Sequence, residues 1–469
     1  MTPITREESK KKIAELVERF ERNYESYKNA SYNETQVRRE FIDPLFKALG
    51  WDIDNEQGIA EAYKEVIHED RVKVDDETKA PDYCFTVYGQ KKFFVEAKKP
   101  SVKIKEEIPP AYQVRRYGWS AKLAVSIVTD FEEFAVYDCT KKPAPADKAA
   151  VARIEYFTYK DYAAKHDFLW DTFSKEGVLK GNLDRYLSSE GTKKGTAAVD
   201  REFLKSMDGW RVELATNIAL RNGALSEADI NHAVQLIIDR LIFLRICEDR
   251  EIEPYGAIRD AAGKSGCYKG LSSTFIAADQ KYNSGLFNFT KDTLTPGLVI
   301  DDKTIKKIID EMYYPACPYQ FAAMPVEILG NAYEQFLGKT ITFKRKTKDG
   351  HSVEIEEKPE VRKAGGVYYT PQYIVDYIVK HTVGELLSKD GMTPEKAAEL
   401  KILDPACGSG SFLLGAYQYL LDWHLEYYRT HDGKKKGKSA VLTPDGRLAT
   451  HEKKRILLNN LFGVDIDTQ

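Results

Sequence analysis

An apolar segment that runs directly into a glycine turn most constrains the fold of this chain. Leu400 to Leu403 have the character of a buried strand, and Gly408 and Gly410 follow just before a helical pattern from Ser411 to Tyr428. Glycines at such a turn permit a tight bend and a close approach of backbone to ligand. The N–H groups at the start of the next helix are available to that ligand. With a second apolar strand at Leu461 to Ile466, this order predicts the opening of a parallel α/β sheet.

Length and composition indicate a globular protein of several domains. The 469 residues predict about three domains of roughly 150 residues each. The chain has no run of about 18 apolar residues and no signal-peptide core, so we expect a cytoplasmic protein without a membrane segment. The six cysteines form no C-x-x-C pair, which favours free thiols over structural zinc. A net charge of −3 gives no global indication of nucleic-acid binding, which would depend on local basic surfaces.

The order of segments predicts a multidomain α/β protein with three parts. Residues 1–165 combine two helices with strands that include a hairpin turning at Gly89-Gln90. Residues 166–355 are mostly helical and end in a basic hairpin. Residues 356–469 contain the glycine turn and its flanking strands. We expect one sheet in the first part and the opening of another in the third.

Two carboxylates and a lysine are predicted to converge in the first part. Asp82 precedes one strand of the hairpin, and Glu96 and Lys98 lie on the other. Because side chains alternate along a strand, Glu96 and Lys98 project from one face while Ala97 points into the core. Carboxylates that hold Mg²⁺ with open water positions suit phosphodiester hydrolysis, and a lysine can orient water or neutralise phosphate. The same pattern also occurs by chance in charged chains, where these residues form a solvated strand edge.

This arrangement resembles the PD-(D/E)xK nuclease family. In that family the helix before the catalytic strands often carries a further acidic metal ligand, a position that Glu40 matches here. Gln113 and Tyr117 resemble the family's Q-x-x-x-Y element and lie one helical turn apart. The resemblance implies catalytic roles for Asp82, Glu96, Lys98, Glu40, Gln113 and Tyr117, with Asp82, Glu96 and Glu40 as metal ligands. Arg115 and Arg116 are expected to reach the DNA backbone.

The third part resembles S-adenosylmethionine-dependent DNA adenine-N6 methyltransferases. Residues 404–412 are similar to their motif I, residues 366–371 to the motif before it, and residues 463–467 to motif II. The resemblance implies a Rossmann-like domain. Its expected cofactor-binding residues are Tyr368, Thr370, Asp404, Ala406, Gly408, Gly410 and Asp465. Cys407, inside the turn, is expected to be a small packing residue rather than a nucleophile.

The whole chain resembles the N-terminal part of type IIG (including type IIL) restriction-modification enzymes. The resemblance implies a PD-(D/E)xK endonuclease domain at 1–165, a helical connector at 166–355 and a truncated adenine-N6 methyltransferase domain at 356–469, acting on double-stranded DNA with Mg²⁺ and S-adenosylmethionine. The family's Asn/Asp-Pro-Pro-Tyr/Phe target-base motif is absent from this sequence. Two alternatives remain open: a stand-alone phage-defence methyltransferase whose N-terminal domain only binds DNA, and a non-catalytic scaffold. The recognition sequence, cleavage offset and oligomeric state do not follow from the sequence.

Overall fold

The computed structural model describes residues 4–59, 64–68, 73–74, 77–78, 81–87, 89–183, 199–263, 266–282, 285–347, 350–358, 370, 372–408, 410–431, 441–443 and 447–464. The fold mixes α-helices and β-sheets. Contacts between Cα atoms divide it into two compact units. The first comprises Met1–Pro325 and Ile341–Ile355, and the second comprises Val326–Thr340 and Glu356–Gln469. None of the helices in the described ranges is both long and apolar enough to cross a membrane.

The first unit begins with helices. They are α1 (Arg6–Arg22), α2 (Tyr24–Tyr27), α3 (Glu34–Val37), a π-helical turn (Arg38–Ile42) and α4 (Asp43–Ala48). A capping box at Thr5 and Glu8 fixes the start of α1. Helix α4 ends just before Gly50, whose φ of +87° is favourable only for glycine. The apolar pattern predicted one helix from Val37 to Leu49, and the observed segment is interrupted by the π turn.

A mixed sheet follows these helices. Its described strands are β1 (Val66–His68), β4 (Tyr83–Val87), β5 (Gln90–Ala97), β6 (Val125–Thr129), β7 (Glu133–Asp138) and β8 (Arg153–Thr158), paired in the order β1-β4-β5-β6-β7-β8. The pairs are antiparallel except β5 with β6, which is parallel. The predicted hairpin is confirmed, but Gln90, predicted to lie in the turn, is the first residue of β5 and pairs with Val87. A separate short pair consists of β2 (Lys73–Val74) and β3 (Glu77–Thr78).

Helix α5 (Ile108–Ser120) connects the parallel strands β5 and β6 and packs closely on the sheet. A Cβ atom at Gly118 would lie 2.4 Å from Cys139 Sγ and 2.7 Å from Ser126 Oγ, so only glycine fits at this contact. On the other face of the sheet, aromatic rings dominate the core, as in the stacked pair Phe85 and Phe93 with ring centroids 4.5 Å apart. The rigid sheet therefore fixes the strand ends that carry the candidate site.

A buried carboxylate in the β6–β7 turn predicts a pH-dependent stability. Asp130 has no exposed surface, and this burial holds the pKa of its carboxyl well above the usual range. The folded state therefore retains a proton that the unfolded state releases near pH 4, and stability is lost as pH rises from there through the raised pKa. In the native protein Glu133 N donates a hydrogen bond to Asp130 Oδ1 at 2.6 Å. In Asp130→Asn the amide oxygen can accept the same hydrogen bond. We expect the melting temperature of the variant to rise relative to that of the native protein as pH increases. A difference in melting temperature that does not change with pH would contradict this.

The rest of the first unit is mainly helical. Its helices are α6 (His166–Phe173), α7 (Lys175–Leu179), α8 (Val199–Arg221), α9 (Glu227–Asp249), α10 (Ala257–Gly263), α11 (Cys267–Tyr282) and α12 (Asp302–Asp310). The segment from Ile230 to Glu248, whose apolar residues recur at helical spacing, lies within α9. Strands β9 (Lys339–Thr347) and β10 (Gly350–Glu357) pair with each other, as the basic hairpin predicted.

The second unit contains the glycine turn. Its helices are α13 (Val326–Leu337), α14 (Gln372–Val379), a π-helical turn (Lys380–Gly384), α15 (Glu385–Leu387), α16 (Pro394–Ala397), α17 (Ser411–Thr430) and α18 (Thr450–Asn460). Strands β11 (Ile402–Asp404) and β12 (Leu461–Gly463) pair in parallel, as predicted. Helix α13 belongs to this unit, whereas the predicted boundary assigned it to the connector.

Candidate functional site

Adjacent strands bring Asp82 and Glu96 together. Asp82 directly precedes β4, and Tyr83 pairs with Val95 in the antiparallel register, which sets Asp82 opposite the end of β5. Its Oδ2 atom accepts a hydrogen bond from Ala97 N at 2.7 Å. Both Asp82 and Glu96 are completely buried, at 0% exposure. Buried carboxylates this close are unfavourable unless cations or hydrogen bonds compensate them.

Lys98 supplies part of that compensation. Its backbone N–H donates to Thr129 O at 3.0 Å, which holds the end of β5 against β6. Its ammonium group binds Glu96 and lies 3.8 Å from Glu34 Oε1. Burial acts to lower the pKa of Lys98, but the carboxylates of Glu96, Glu34 and Asp82 outweigh it and hold the pKa above the usual value. Lys98 is therefore positively charged, and the three residues of the predicted motif lie in one place.

Glu34, rather than Glu40, is the third carboxylate of this group. One carboxylate oxygen from each of Glu34, Asp82 and Glu96 lies within 4.8 Å of the other two. We call these three residues the acidic cluster. The structure does not place Glu40 in it: Glu40 lies beside Tyr32, whose pKa is raised first by burial and then by the charge of Glu40. Glu34 begins α3, whereas Glu40 lies in the π-helical turn that follows it.

The local sequence explains how Glu34 is oriented. It is the first residue of α3, and a capping box precedes it, in which Asn33 Oδ1 accepts from Gln36 N at 3.0 Å and Gln36 Oε1 accepts from Asn33 N at 2.8 Å. This box fixes where the helix starts and hence where Glu34 points. The Asn-x-x-Gln spacing was visible in the sequence, but only the fold shows that the helix begins beside the ends of β4 and β5.

Arg38 is a second residue that sequence reasoning missed. Its Nη1 atom lies 3.3 Å from Asp82 Oδ1, and Nε donates to Tyr83 OH at 3.2 Å. The guanidinium carbon lies 4.7 Å from the centre of the Tyr83 ring. Arg38 opens the π-helical turn, a type of insertion that is frequent at functional sites. Arg38 and Lys98 thus balance the charge of the acidic cluster from two sides.

The predicted Q-x-x-x-Y pair forms on α5. Gln113 Nε2 lies 3.5 Å from Tyr117 OH, as expected for residues one turn apart. The expectation that Arg115 and Arg116 reach DNA is wrong, because both are buried, at 2% and 5% exposure. Arg115 pairs with Asp147 at 2.8 Å. Arg116 donates to Tyr319 O at 2.9 Å, so this arginine joins α5 to the helical part of the first unit.

The glycine turn of the second unit has the tight form that the sequence predicts. Asp404 ends β11, and its Oδ1 accepts from Ala406 N at 3.1 Å. Gly410 N donates to Cys407 O at 2.8 Å and closes the turn. Gly408 and Gly410 have φ values of +50° and +77°, where other residues are strained. Among the residues that the structure describes, no heavy atom lies within 4 Å of a Cβ position at Gly410.

Cys407 packs inside this turn. A Cβ atom at Gly463 of β12 would lie 2.9 Å from Cys407 Sγ, and Cys407 N donates to Val464 O at 2.9 Å. These contacts agree with the packing interpretation. Thr370 is partly buried. Tyr368 and Asp465, also predicted to bind cofactor, lie outside the described residues.

Comparison with known proteins identifies the relatives of the chain. Residues 355–441 match the N-6 DNA Methylase family. The chain is 35% identical over 460 residues, or 98% of its length, to the type II restriction enzyme and methyltransferase RM.Eco57I from Escherichia coli. The chain is thus similar to a fused type II restriction enzyme and methyltransferase. It spans 45% of the length of RM.Eco57I.

Other relatives are more distant. A putative type II restriction enzyme and methyltransferase from Methanocaldococcus jannaschii, RM.MjaORFECS2P, is 26% identical over 306 residues, which are 52% of this chain and 24% of that protein. Among solved structures, a DrdV–DNA complex aligns over 88% of this chain and 36% of its own, with 16% identity and a TM-score of 0.30.

Proposed function

We propose that this chain contains the endonuclease part and the start of the methyltransferase part of a bifunctional restriction-modification enzyme. In this proposal residues 1–165 form a Mg²⁺-dependent PD-(D/E)xK endonuclease, residues 166–355 a helical connector, and residues 356–469 the N-terminal portion of a Rossmann-like adenine-N6 methyltransferase. The substrate is double-stranded DNA. The observation that carries the nuclease assignment is the acidic cluster with Lys98 beside it.

The acidic cluster suits a divalent cation. Its donors are all carboxylate oxygens, which Mg²⁺ prefers, and their mutual separations of at most 4.8 Å allow one ion to be shared. A divalent cation held there would activate water and stabilise negative charge on the phosphate. Asp82 and Glu96 are proposed as principal ligands, with Glu34 in the role that the sequence suggested for Glu40.

The residues around the cluster have distinct proposed roles. Lys98 lies beside the cluster, with its ammonium group bound to Glu96 and 3.8 Å from Glu34 Oε1, so it is placed to orient water or to neutralise the phosphate. Arg38 holds Asp82 in place through its contact with Oδ1. Gln113 and Tyr117 are proposed to support the site from α5. The lysine is thus the proposed catalytic residue, whereas Arg38 acts through Asp82.

The glycine turn is proposed to bind S-adenosylmethionine. The left-handed backbone at Gly408 and Gly410 leads into the start of α17, whose first N–H groups are potential donors to a ligand. Asp404, Ala406, Gly408 and Gly410 are proposed to line the pocket, with Thr370, Tyr368 and Asp465 contributing as the family resemblance implies. The match to the N-6 DNA Methylase family supports this assignment.

Contacts of α5 support a mechanical link between the nuclease site and the connector. Besides the Arg116 bond, Ser120 Oγ accepts from Gln320 N at 2.9 Å, and the rings of Trp119 and Tyr319 stack 5.7 Å apart. The same helix carries Gln113 and Tyr117. A shift in the connector would therefore move α5 and the residues that it presents.

Two separate variants, Glu34→Gln and Glu40→Gln, test the nuclease assignment. In the full-length protein, Glu34→Gln is expected to lower Mg²⁺-dependent cleavage of duplex DNA by at least about 10-fold, because it removes a ligand of the shared ion. Glu40→Gln, a matched change on the same helical segment, is expected to leave the rate within about 2-fold. A larger loss of cleavage in Glu40→Gln than in Glu34→Gln would instead assign the third ligand to Glu40. No Mg²⁺-dependent cutting by the native protein under any cofactor condition would favour a methyltransferase whose N-terminal domain only binds DNA.

A further inference from the structure

A carboxylate from a separate helix lies against the glycine turn. The Oε1 atom of Glu334, on α13, is 3.0 Å from the position that a Cβ atom at Gly408 would occupy. Both residues belong to the second unit. A Cβ atom at position 408 would be in tight contact with this carboxylate, which would shift by a few tenths of an ångström to admit it. The glycine itself is favoured by its left-handed backbone, and the absence of a side chain lets Glu334 approach the turn.

The packing of α13 defines where Glu334 points. Ile328, Ala332 and Phe336 recur at helical spacing and are buried, at 1%, 0% and 0% exposure. They anchor one face of α13, while Glu334 is only partly buried. The carboxylate is thus presented from a helix with a fixed face rather than from a loose loop.

The charges around the turn suit a ligand that carries both signs. The start of α17 favours negative groups, since its first N–H groups and its dipole are positive there. Glu334 adds a negative group beside the same turn. Asp404 already uses Oδ1 to accept from Ala406 N at 3.1 Å. An α-amino acid group, with a carboxylate and an ammonium on one carbon, is complementary to this pair of opposite charges.

We propose that Glu334 binds the α-ammonium group of S-adenosylmethionine. The inference rests on the proposed cofactor site and adds to it a residue from α13, outside the glycine turn and outside the motifs that predicted the site. Glu334 is a binding residue in this proposal and takes no part in methyl transfer.

Three nucleosides distinguish this role from others. S-adenosylmethionine and S-adenosylhomocysteine both carry the ammonium group, only the former carries the sulfonium, and 5′-methylthioadenosine has neither. In calorimetric titrations of the full-length protein, Glu334→Gln is expected to weaken binding of the first two by about 10- to 100-fold, the range for a hydrogen bond to a charged group. Binding of 5′-methylthioadenosine is expected to change by less than about 2-fold, which also shows that the variant is folded. Glu385→Gln, a change at an exposed glutamate of the same unit, serves as the matched control.

Each other result overturns the inference in a recognisable way. Equal loss for all three nucleosides would assign Glu334 to the fold or to the ribose. Loss for S-adenosylmethionine alone would assign it to the sulfonium. If the variant bound all three nucleosides as the native protein does, Glu334 would not be a binding residue, and the proposed cofactor site would still stand. If the native protein bound none of them, the proposed cofactor site would fail and the inference with it.

Discussion

Replacing Glu96 with glutamine is expected to lower Mg²⁺-dependent DNA cleavage on the order of 10³-fold. Glu96 is completely buried and belongs to the acidic cluster, so its replacement removes a proposed metal ligand that no solvent-exposed group can replace. The charge stabilisation that a bound cation supplies is worth several kcal/mol, which corresponds to this change in rate. The measurement is the initial rate of cleavage of a duplex substrate by the full-length protein at saturating Mg²⁺.

Two controls make this result specific. Glu106→Gln removes a carboxylate whose side chain is 71% exposed, and it is expected to cleave at the native rate. Glu96→Gln is expected to melt within a few degrees of the native protein, because removing one of three crowded carboxylates also relieves repulsion. A folded Glu96→Gln protein that cuts at the native rate would refute the assignment of the nuclease site.

Replacing Arg245 with methionine is expected to destabilise the protein by about 3–5 kcal/mol, the range for breaking a buried ion pair from one side. Arg245, on α9, has 1% exposure. It pairs with Asp249 and lies 3.6 Å from Glu248 Oε2, and its Nε donates to Met312 O at 3.0 Å. Its guanidinium carbon is also 4.3 Å from the Tyr313 ring centre. The substitution keeps most of the volume but leaves two buried acids without their cation.

Urea denaturation measures this loss as a change in the free energy of unfolding. The matched control is Arg250→Met, one residue beyond the end of α9, which is exposed and expected to change stability by less than about 0.5 kcal/mol. Asp249 Oδ2 also accepts a hydrogen bond from Phe321 N at 3.0 Å, so the ion pair orders the segment around Phe321, which contacts α5.

We therefore expect Arg245→Met to weaken DNA cleavage as well. Equal stability of the two variants would show that the buried network contributes little.

Local patterns predicted much of the architecture. Alternation and turn residues were sufficient for the hairpin of β4 and β5, and helical periodicity was sufficient for α9. The strand, glycine turn and helix around Gly408 also formed as expected. These features depend on contacts between residues near in sequence, and short-range rules describe such contacts well.

The errors have a different physical origin. Glu34 was missed because its role depends on a helix start meeting two distant strand ends, which no local pattern reports. Arg115 and Arg116 were assigned to DNA because arginine is usually exposed, yet Asp147 and a backbone carbonyl of Tyr319 satisfy them inside the protein. In both cases a long-range contact sets the surroundings of a polar side chain.

We propose that Glu34, Asp82 and Glu96 together hold one divalent cation. Titration of the protein with Mn²⁺, followed by electron paramagnetic resonance, measures this directly and requires neither DNA nor cleavage. The native protein is expected to bind one Mn²⁺ that Mg²⁺ displaces, and Asp82→Asn is expected to lose that site. Identical Mn²⁺ binding by the native protein and by a folded Asp82→Asn variant would contradict the account.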